Sequence, residues 1–486
     1  QALVSDGTDI SWGSAGASSL NGLSDCIVTA TENYGIGTSA VNSITTGDHN
    51  IGIGLNAGTA ITTGSNNTAV GYEALRDNTT ASHNAAFGHD ALRDNTTGAD
   101  NTACGRGSLR ANTTGSNNVG IGYAVLHDNT TGYQNVGAGK FSMRFNTTGW
   151  SNTAIGFNSL KTCTTGKYNV AVGDHALLSL TTGTQCTAVG YYAGYSTTTP
   201  AITAVGREAL YANTTGWANT ATGLYALRLN TTGYSNTTSG NNSMRNCTTG
   251  YYNTGGGEAS QQNTTTGYGN TSFGTFSMYN NTTGNDNTSI GRGSGYQNTT
   301  GQRNTGLGYE GLVSNTTGSN NTGIGNQASS SSATTSNEFT LGNSSVSNLR
   351  CNDTSISGLS DERDKAQITD LPETVGLDFI NSLRPITFYW DRREWYDNGV
   401  SNGSKINTTF RNWKSNSGMK MGFIAQEVDS KITGEKCLED SGMVTKTNPD
   451  KLEFAPAHLI TPLVKAVQQL TEQNAQLTKR IEALEA

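Results

Sequence analysis

The chain has 486 residues, of which 33% are apolar and 61 are glycine, and it carries a formal net charge of −7. So little apolar material excludes a conventional core over most of the length, and the scattered basic residues give no footprint for nucleic acid. No apolar run reaches 18 residues and no basic-then-apolar leader opens the chain, so a soluble protein without membrane insertion is expected. The seven cysteines form no CxxC pair and have no nearby histidine, which predicts free thiols packed as small residues, no metal site and no cofactor.

Residues 1–32, with Leu20-Asn21-Gly22-Leu23-Ser24-Asp25, read as a connector to a partner of unknown identity, and the chain is expected to have begun further upstream. A ladder of glycines follows. From Gly37 to Gly342 the ladder has 19 members, spaced 17 residues apart with a single step of 16 between Gly190 and Gly206. A period held this long marks one unit stacked on itself, so residues 33–342 are predicted to form a mainly β solenoid of 17-residue coils.

A representative coil reads Asn67-Thr68-Ala69-Val70-Gly71-Tyr72-Glu73-Ala74-Leu75-Arg76-Asp77-Asn78-Thr79-Thr80. Four residues before the ladder glycine stands Asn in 16 of 19 coils, the exceptions being Cys186, Ile202 and Glu338. Two residues before it the side chain is always small. The residue between that small side chain and the glycine is mostly apolar, as in Ile53, Val70, Phe87, Ile155 and Phe273. Strand alternation puts the small residue and the glycine on one face and the apolar residue on the other. The small face is expected to allow close contact between chains, and the apolar face to fill a core. A second apolar position lies four residues after the glycine, as in Leu75, Leu92 and Met143. Each coil turns at Thr-Thr-Gly, where glycine is expected to supply a positive φ and the preceding Asn and Thr to bond local backbone. One coil cannot bury a core alone, so stability must come from stacking and from other chains. At ~4.8 Å per coil the stack is a rod roughly 90 Å long.

The residue directly after the turn glycine is Trp217, Tyr234, Tyr251 and Tyr268 in four successive coils, with Tyr133 and Trp150 earlier. Stacking should align each set on one edge, either as a glycan contact or as an aromatic ladder that stiffens the rod. The shaft's acids, among them Glu73, Asp90, Asp94, Glu208, Glu258 and Glu310, are isolated, whereas glycosidic cleavage needs two carboxylates facing one bond. The Thr-Thr pairs are accounted for as turn chemistry and not as an ice-binding surface, and the Asp-rich glycine pattern of calcium-binding repeats is absent.

The Asn-Thr-Ala-Val-Gly core, repeated as Asn152-Thr153-Ala154-Ile155-Gly156, resembles the repeats of trimeric autotransporter adhesin heads. That resemblance implies a parallel β-roll assembled as a homotrimer, although the repeats of that family are shorter.

Charge density then changes. Residues 1–359 hold 32 charged side chains and the 127 residues from Ser360 hold 35, with five of the six prolines. The boundary falls at 345–360, which leaves 343–359 as a tip or connector. Three blocks follow: Ser360-Asp361-Glu362-Arg363-Asp364-Lys365, Leu383-Arg384-Pro385-Ile386-Thr387-Phe388-Tyr389-Trp390, and Met421-Gly422-Phe423-Ile424-Ala425-Gln426-Glu427-Val428. In this order they closely resemble the intramolecular chaperone domain that ends phage tail spikes and fibres, including endosialidases. The resemblance implies a small α+β domain over 360–486 that trimerises, guides folding of the β-structured chain ahead of it and cuts itself off. It places the nucleophile on Ser360, the base on Lys365 and the scissile bond at Leu359-Ser360. A serine hydroxyl attacks once a base takes its proton, and a lysine can be that base when desolvation lowers its pKa. Gln426 and Glu427 also match the family pattern; the alternative role for them is to satisfy buried backbone. Glu453-Phe454-Ala455-Pro456 departs from the Tyr-bearing pattern usual before the last helix.

The chain closes on Ile460, Leu463, Val467, Leu470, Asn474, Leu477, Ile481 and Leu484, spaced alternately by three and four. This heptad seam predicts a coiled-coil helix over about 458–486, with Asn474 setting register. The whole reads as a structural, host-binding trimeric fibre of a phage tail, extracellular as part of the virion. Its expected partners are two further copies, a host surface receptor such as a glycan, and a tail or baseplate protein. The alternatives are a tailspike depolymerase of polysaccharide and a cell-surface adhesin.

Overall fold

The computed structural model describes residues 32–346, 368–388, 419–446 and 452–485, together with the backbone of three short strands, Leu3–Ser5, Ile10–Trp12 and Cys26–Val28. The chain divides into two compact units, 1–346 and 347–486.

In the first unit, Leu3–Ser5 pairs antiparallel with Ile10–Trp12, and Cys26–Val28 pairs antiparallel with Tyr34–Ile36. From Tyr34–Ile36 to Phe339–Leu341 each coil supplies one three-residue strand, and each strand lies parallel to the next, as with Thr68↔Ala85 and Val70↔Phe87. The 19 predicted coils are all present as strands of this β-solenoid. The short step leaves the ladder intact, since Thr187 pairs with Thr203 and Val189 with Val205. The missing residue is taken from the segment between turn and strand, where Ile202 replaces the usual Asn.

The two faces of the strand are the reverse of the expected assignment. Ala69, Ala86, Ala103 and Ala154 are fully buried, whereas Phe87, Ile155 and Phe273 on the opposite face are 43%, 44% and 46% exposed. The coil is too thin to take a large side chain behind the strand. A Cβ on Gly52 would already meet the Ala57 carbonyl oxygen at 2.8 Å and Val41 Cγ1 at 2.9 Å. The small residue is therefore required by packing inside one chain and not by contact between chains. The core behind it is the stack Leu75, Leu92, Leu109, Leu126, Met143 and their successors, with Ala74 and Ala91 beside it.

The glycines also divide their work differently. The turn glycines, such as Gly98 and Gly115, are not left-handed; they are needed because a Cβ on Gly115 would stand 2.2 Å from the Gly132 carbonyl oxygen in the next coil. Positive φ belongs to the ladder glycines, with Gly71 at +137°, and their own close approach is likewise to the following coil, 2.5 Å from a Cβ on Gly71 to the Gly88 oxygen. The core leucines share this left-handed geometry, with Leu75 at +54° and Leu92 at +50°. β-Branched side chains tolerate that region poorly, which explains why Leu and Met dominate there.

Two columns of buried asparagine satisfy the backbone, one where the coil enters its strand and one at the turn. In the first, Asn118 donates from Nδ2 to Asn101 Oδ1 (3.1 Å) and to the Gly132 carbonyl (2.9 Å), while its own Oδ1 accepts from Asn135 N and Nδ2. In the second, at the turn, Asn95 Nδ2 donates to Asn78 Oδ1 (3.0 Å) and to the Gly98 carbonyl (2.9 Å). Both columns are interrupted around the 16-residue step, where Cys163 and Leu180 enter the turn column and Cys186 and Ile202 the other, all of them buried. The turn Asn and Thr do bond local and next-coil backbone as expected, as Asn78 Nδ2 to the Ala81 carbonyl and Thr62 Oγ1 to the Thr79 carbonyl show.

In the second unit, helix α1 (Leu377–Ser382), α2 (Ala425–Ile432), α3 (Lys436–Glu439) and α4 (Ile460–Glu485) surround a small core of Val375, Phe379, Val428, Ile432, Leu438 and Leu459. Two antiparallel pairs accompany them, Ile386–Phe388 with Lys420–Gly422 and Val444–Thr445 with Glu453–Phe454. The start of α4 is fixed to the α1 region through Glu373, whose carboxylate takes Lys465 Nζ at 2.6 Å and whose carbonyl takes Gln469 Nε2 at 2.9 Å. Pro462 and Ala466 are buried there, while Leu463, Val467, Leu470, Leu477 and Ile481 of the heptad seam are exposed in the single chain.

Candidate functional site

The aromatic positions after the turn glycine form the predicted columns. Trp217, Tyr234, Tyr251 and Tyr268 stack with centroids 5.3, 5.0 and 4.9 Å apart and planes within 8°. Tyr133 and Trp150 stack at 5.3 Å and 7°. These separations follow the strand spacing of ~4.8 Å, so the solenoid itself sets the ring geometry. Trp217 presents half of its surface to solvent. The short column ends on Lys167, whose Nζ lies 5.2 Å from the Trp150 ring, and the long one ends on Asn285, whose Oδ1 accepts from Tyr268 N at 2.9 Å.

Sequence reasoning passed over a second kind of column at the fifth residue after the ladder glycine. There Tyr195 stacks on Tyr211 at 5.2 Å and Tyr279 on Tyr296 at 5.3 Å. Counting offsets from the ladder would have found it.

The shaft acids have local partners. Glu73 meets Arg76 at 2.9 Å, Asp90 meets His89 at 3.1 Å, Asp94 meets Arg93 at 2.6 Å and Glu208 meets Arg228 at 2.6 Å. Glu310 accepts from Gln327 at 2.8 Å, and that bond, followed by one from Tyr309, holds its carboxyl below the usual range. Such ties within and between adjacent coils leave these carboxylates serving the stack.

In the C-terminal unit, Leu359, Ser360 and Lys365 lie outside the described residues. The second and third blocks are brought together in two ways. Ile386–Phe388 pairs with Lys420–Gly422, aligning Thr387 with Met421, and the Arg384 guanidinium grips the Glu427 carboxylate, with Nε 2.9 Å from Oε2 and Nη2 on Oε1. Glu427 sits in the first turn of α2, where a negative charge is favoured by the helix dipole. The pair is exposed, so it contributes to placement more than to stability. In the single chain Gln426 is exposed and Glu427 binds a guanidinium. Between the blocks lies a groove of about 280 Å³ lined by Leu383, Arg384, Phe423 and Glu427.

A β-solenoid of 17-residue coils followed by a small α+β unit ending in a helix defines a fibre-like class of protein. Residues 360–434 match the family described as the chaperone of endosialidase, and this match together with the solenoid fits an endosialidase-type fibre. No curated protein and no solved structure matches the chain.

Proposed function

We propose that the chain is one third of a trimeric host-binding fibre, carried by a phage tail, whose C-terminal domain drives trimeric folding and then cleaves the Leu359-Ser360 bond. The observation that carries this reading is the outward column of the strands. Ile36, Ile53, Phe87, Ile121, Ile155, Val189, Phe273, Ile290, Ile324 and Leu341 are all exposed in the single chain. The column runs from Ile36 to Val205 and again from Phe273 to Leu341, with Thr222, Ser239 and Gly256 between, so at ~4.8 Å per coil and ~10 Å width the apolar strip is roughly 750 Å² per chain, of the order of the ~800 Å² per partner of a stable interface. Soluble proteins rarely leave apolar patches of that size open. A rod with the same period covers such a strip throughout its length, and a second copy of this chain is such a rod. The exposed seam of α4 has the same need at the other unit.

Processing is supported by the family match, which opens on Ser360. In this reading Lys365 takes the hydroxyl proton and Ser360 Oγ attacks the Leu359 carbonyl carbon; the Ser360 nitrogen leaves as an amine on receiving that proton back, and water then hydrolyses the Leu359-Ser360 ester so that the two fragments part. The aromatic columns at Trp217–Tyr268 and Tyr133–Trp150 are the glycan contacts of the shaft in the same reading.

One experiment tests assembly and cleavage together. Cys104 is exposed and lies on the apolar column between Phe87 and Ile121. Copies packed in register bring the Cys104 thiols together, so a short thiol cross-linker should yield a Cys104–Cys104 peptide in mass spectrometry. Ser360→Ala should leave the full chain of 50.9 kDa on denaturing gels, where the parent shows two fragments. A monomer by light scattering, or a cross-link that never includes Cys104, defeats the packing; normal cleavage of the variant defeats the serine.

A further inference from the structure

The chain is acidic overall, yet its charge is not evenly spread along the shaft. Between Asn101 and Gly173 there are six Lys and Arg residues and a single acid, Asp128, which is held by His127. The coils before this stretch hold six acids against Arg76 and Arg93, so the basic belt is a local feature.

Within the belt the cations converge. Lys140 Nζ, Arg144 Cζ and Lys161 Nζ lie 5.0, 4.9 and 5.5 Å from the centroid of the one Phe141 ring. Lys140 also lies 5.7 Å from the Tyr123 ring, and Arg106 approaches that ring at 6.0 Å. A ring has two faces, so three cations around Phe141 place at least two on the same side. Groups this close to one ring centroid are at most roughly 10 Å apart, about one Debye length, within which like charges still repel. None of Arg106, Lys140, Arg144 and Lys161 has a carboxylate within ion-pair distance among the described residues. The Arg144 Nε is buried and has no hydrogen-bond partner. Elsewhere on the shaft, Arg76, Arg93 and Arg228 each have a carboxylate. Like charges gathered without counter-charge are stabilised by an anion from outside.

We propose that this belt is a binding site for an acidic, carboxylate-bearing polysaccharide. The inference deepens the host-binding reading and rests on it for its biological setting. A linear polymer is favoured over a single ion because the cations recur along the stack: Arg106 and Lys140 occupy the same offset two coils apart, and Arg144 and Lys161 share another offset in adjacent coils. Anionic groups spaced along a sugar chain can meet them in succession. A nucleic acid is disfavoured, since base stacking needs open aromatic faces and those of Phe141 are occupied by cations.

The test titrates the purified full chain by calorimetry with an oligogalacturonate, with maltoheptaose as the neutral control and oligodeoxythymidylate and inorganic phosphate as alternative anions. The expected result is binding of the oligogalacturonate that weakens with salt and weakens roughly tenfold, with a shallower salt dependence, in the Lys140→Gln/Lys161→Gln variant. Unchanged circular dichroism and melting would show that the variant is folded. Binding unaffected by the double substitution, equal binding of maltoheptaose, tighter binding of the oligonucleotide, or phosphate binding as well as the oligomer would each overturn the proposal. Because the titration contains no host, a protein that ignores the acidic oligomer but still adsorbs to cells loses this site and keeps the fibre reading.

Discussion

Replacing Asn118 by Ala removes one rung of a buried column, and its cost can be worked from the surrounding bonds. The Asn101 Oδ1 keeps the Asn118 backbone donor at 3.0 Å, the Gly132 carbonyl keeps Asn129 Nδ2 at 3.0 Å, and Asn135 Nδ2 keeps the Gly149 carbonyl at 2.9 Å. The group left without its acceptor is the Asn135 backbone N–H, which donates to Asn118 Oδ1 at 3.1 Å. An unsatisfied buried donor costs about 1–3 kcal/mol, and the side-chain bonds lost with it add about 0.5–1.5 kcal/mol each. A loss of about 3 kcal/mol follows. Each coil touches only its neighbours, so the effect should remain local to the strands Val119–Ile121 and Val136–Ala138. Native-state hydrogen exchange reads this directly: at 1.4 kcal/mol per decade, the Asn135 amide should exchange roughly 100-fold faster, while Val170–Val172 changes little. Exchange at Asn135 within about threefold of the parent would refute the view that the column carries the stack.

Burial pushes the Cys163 thiol up to about 11 and the Cys247 thiol up to about 12, and raises Cys186 as well, so alkylation of the folded protein at pH ~8 should modify Cys437 and reach those three only after denaturation, with Cys104 shielded by the neighbouring copies. The same shifts make stability fall with alkali: unfolded thiols ionise near 9 while the folded ones stay neutral, so their contribution is intact below about pH 9 and is lost as pH rises toward 11 to 12, measurable as a declining urea midpoint. For the long aromatic column, Trp217→Ala with Tyr234→Ala removes the 217–234 and 234–251 stacks and should cost about 1–3 kcal/mol in thermal or denaturant unfolding. Host-cell adsorption that is unchanged in that variant would leave the column a structural role alone.

The two site proposals on the shaft differ in how visible they were before the fold was known. The Trp217 column is one offset read down the period, so stacking coils of fixed rise had to align it. The Phe141 cluster draws on three offsets, with Lys140 one residue after the ladder glycine, Phe141 two, and Arg144 and Lys161 five. Only the path of the loop after the strand tells which offsets meet, and that path is set by left-handed residues such as Met143 at +46°, whose backbone state no residue type announces. In the C-terminal unit the three blocks were legible as text, but their juxtaposition was not. Arg384 and Glu427 are 43 residues apart in sequence and meet through a two-strand pairing that three-residue strands signal poorly.

The reversed strand faces follow from the same geometry. Alternation reports that a strand has two faces, and ordinary experience assigns the larger apolar side chains to the inside. That assignment assumes an interior deep enough to hold them. Here the space behind each strand is already filled by side chains of its own and the preceding coil, as behind Gly137, where an added Cβ would lie 3.3 Å from Met143 Cε, 3.6 Å from Leu126 Cδ1 and 2.5 Å from Val125 Cγ1. Size therefore outranks hydrophobicity, and the residue that fits goes in. Val, Ile and Phe are left outside at most coils, in a column that Ala138, Thr222, Ser239 and Gly256 interrupt, at a cost that a solitary rod would bear in water at each apolar coil. That cost is the physical reason to look for the second and third chains on this face, and Cys104, lying within it, is the residue through which they can be found.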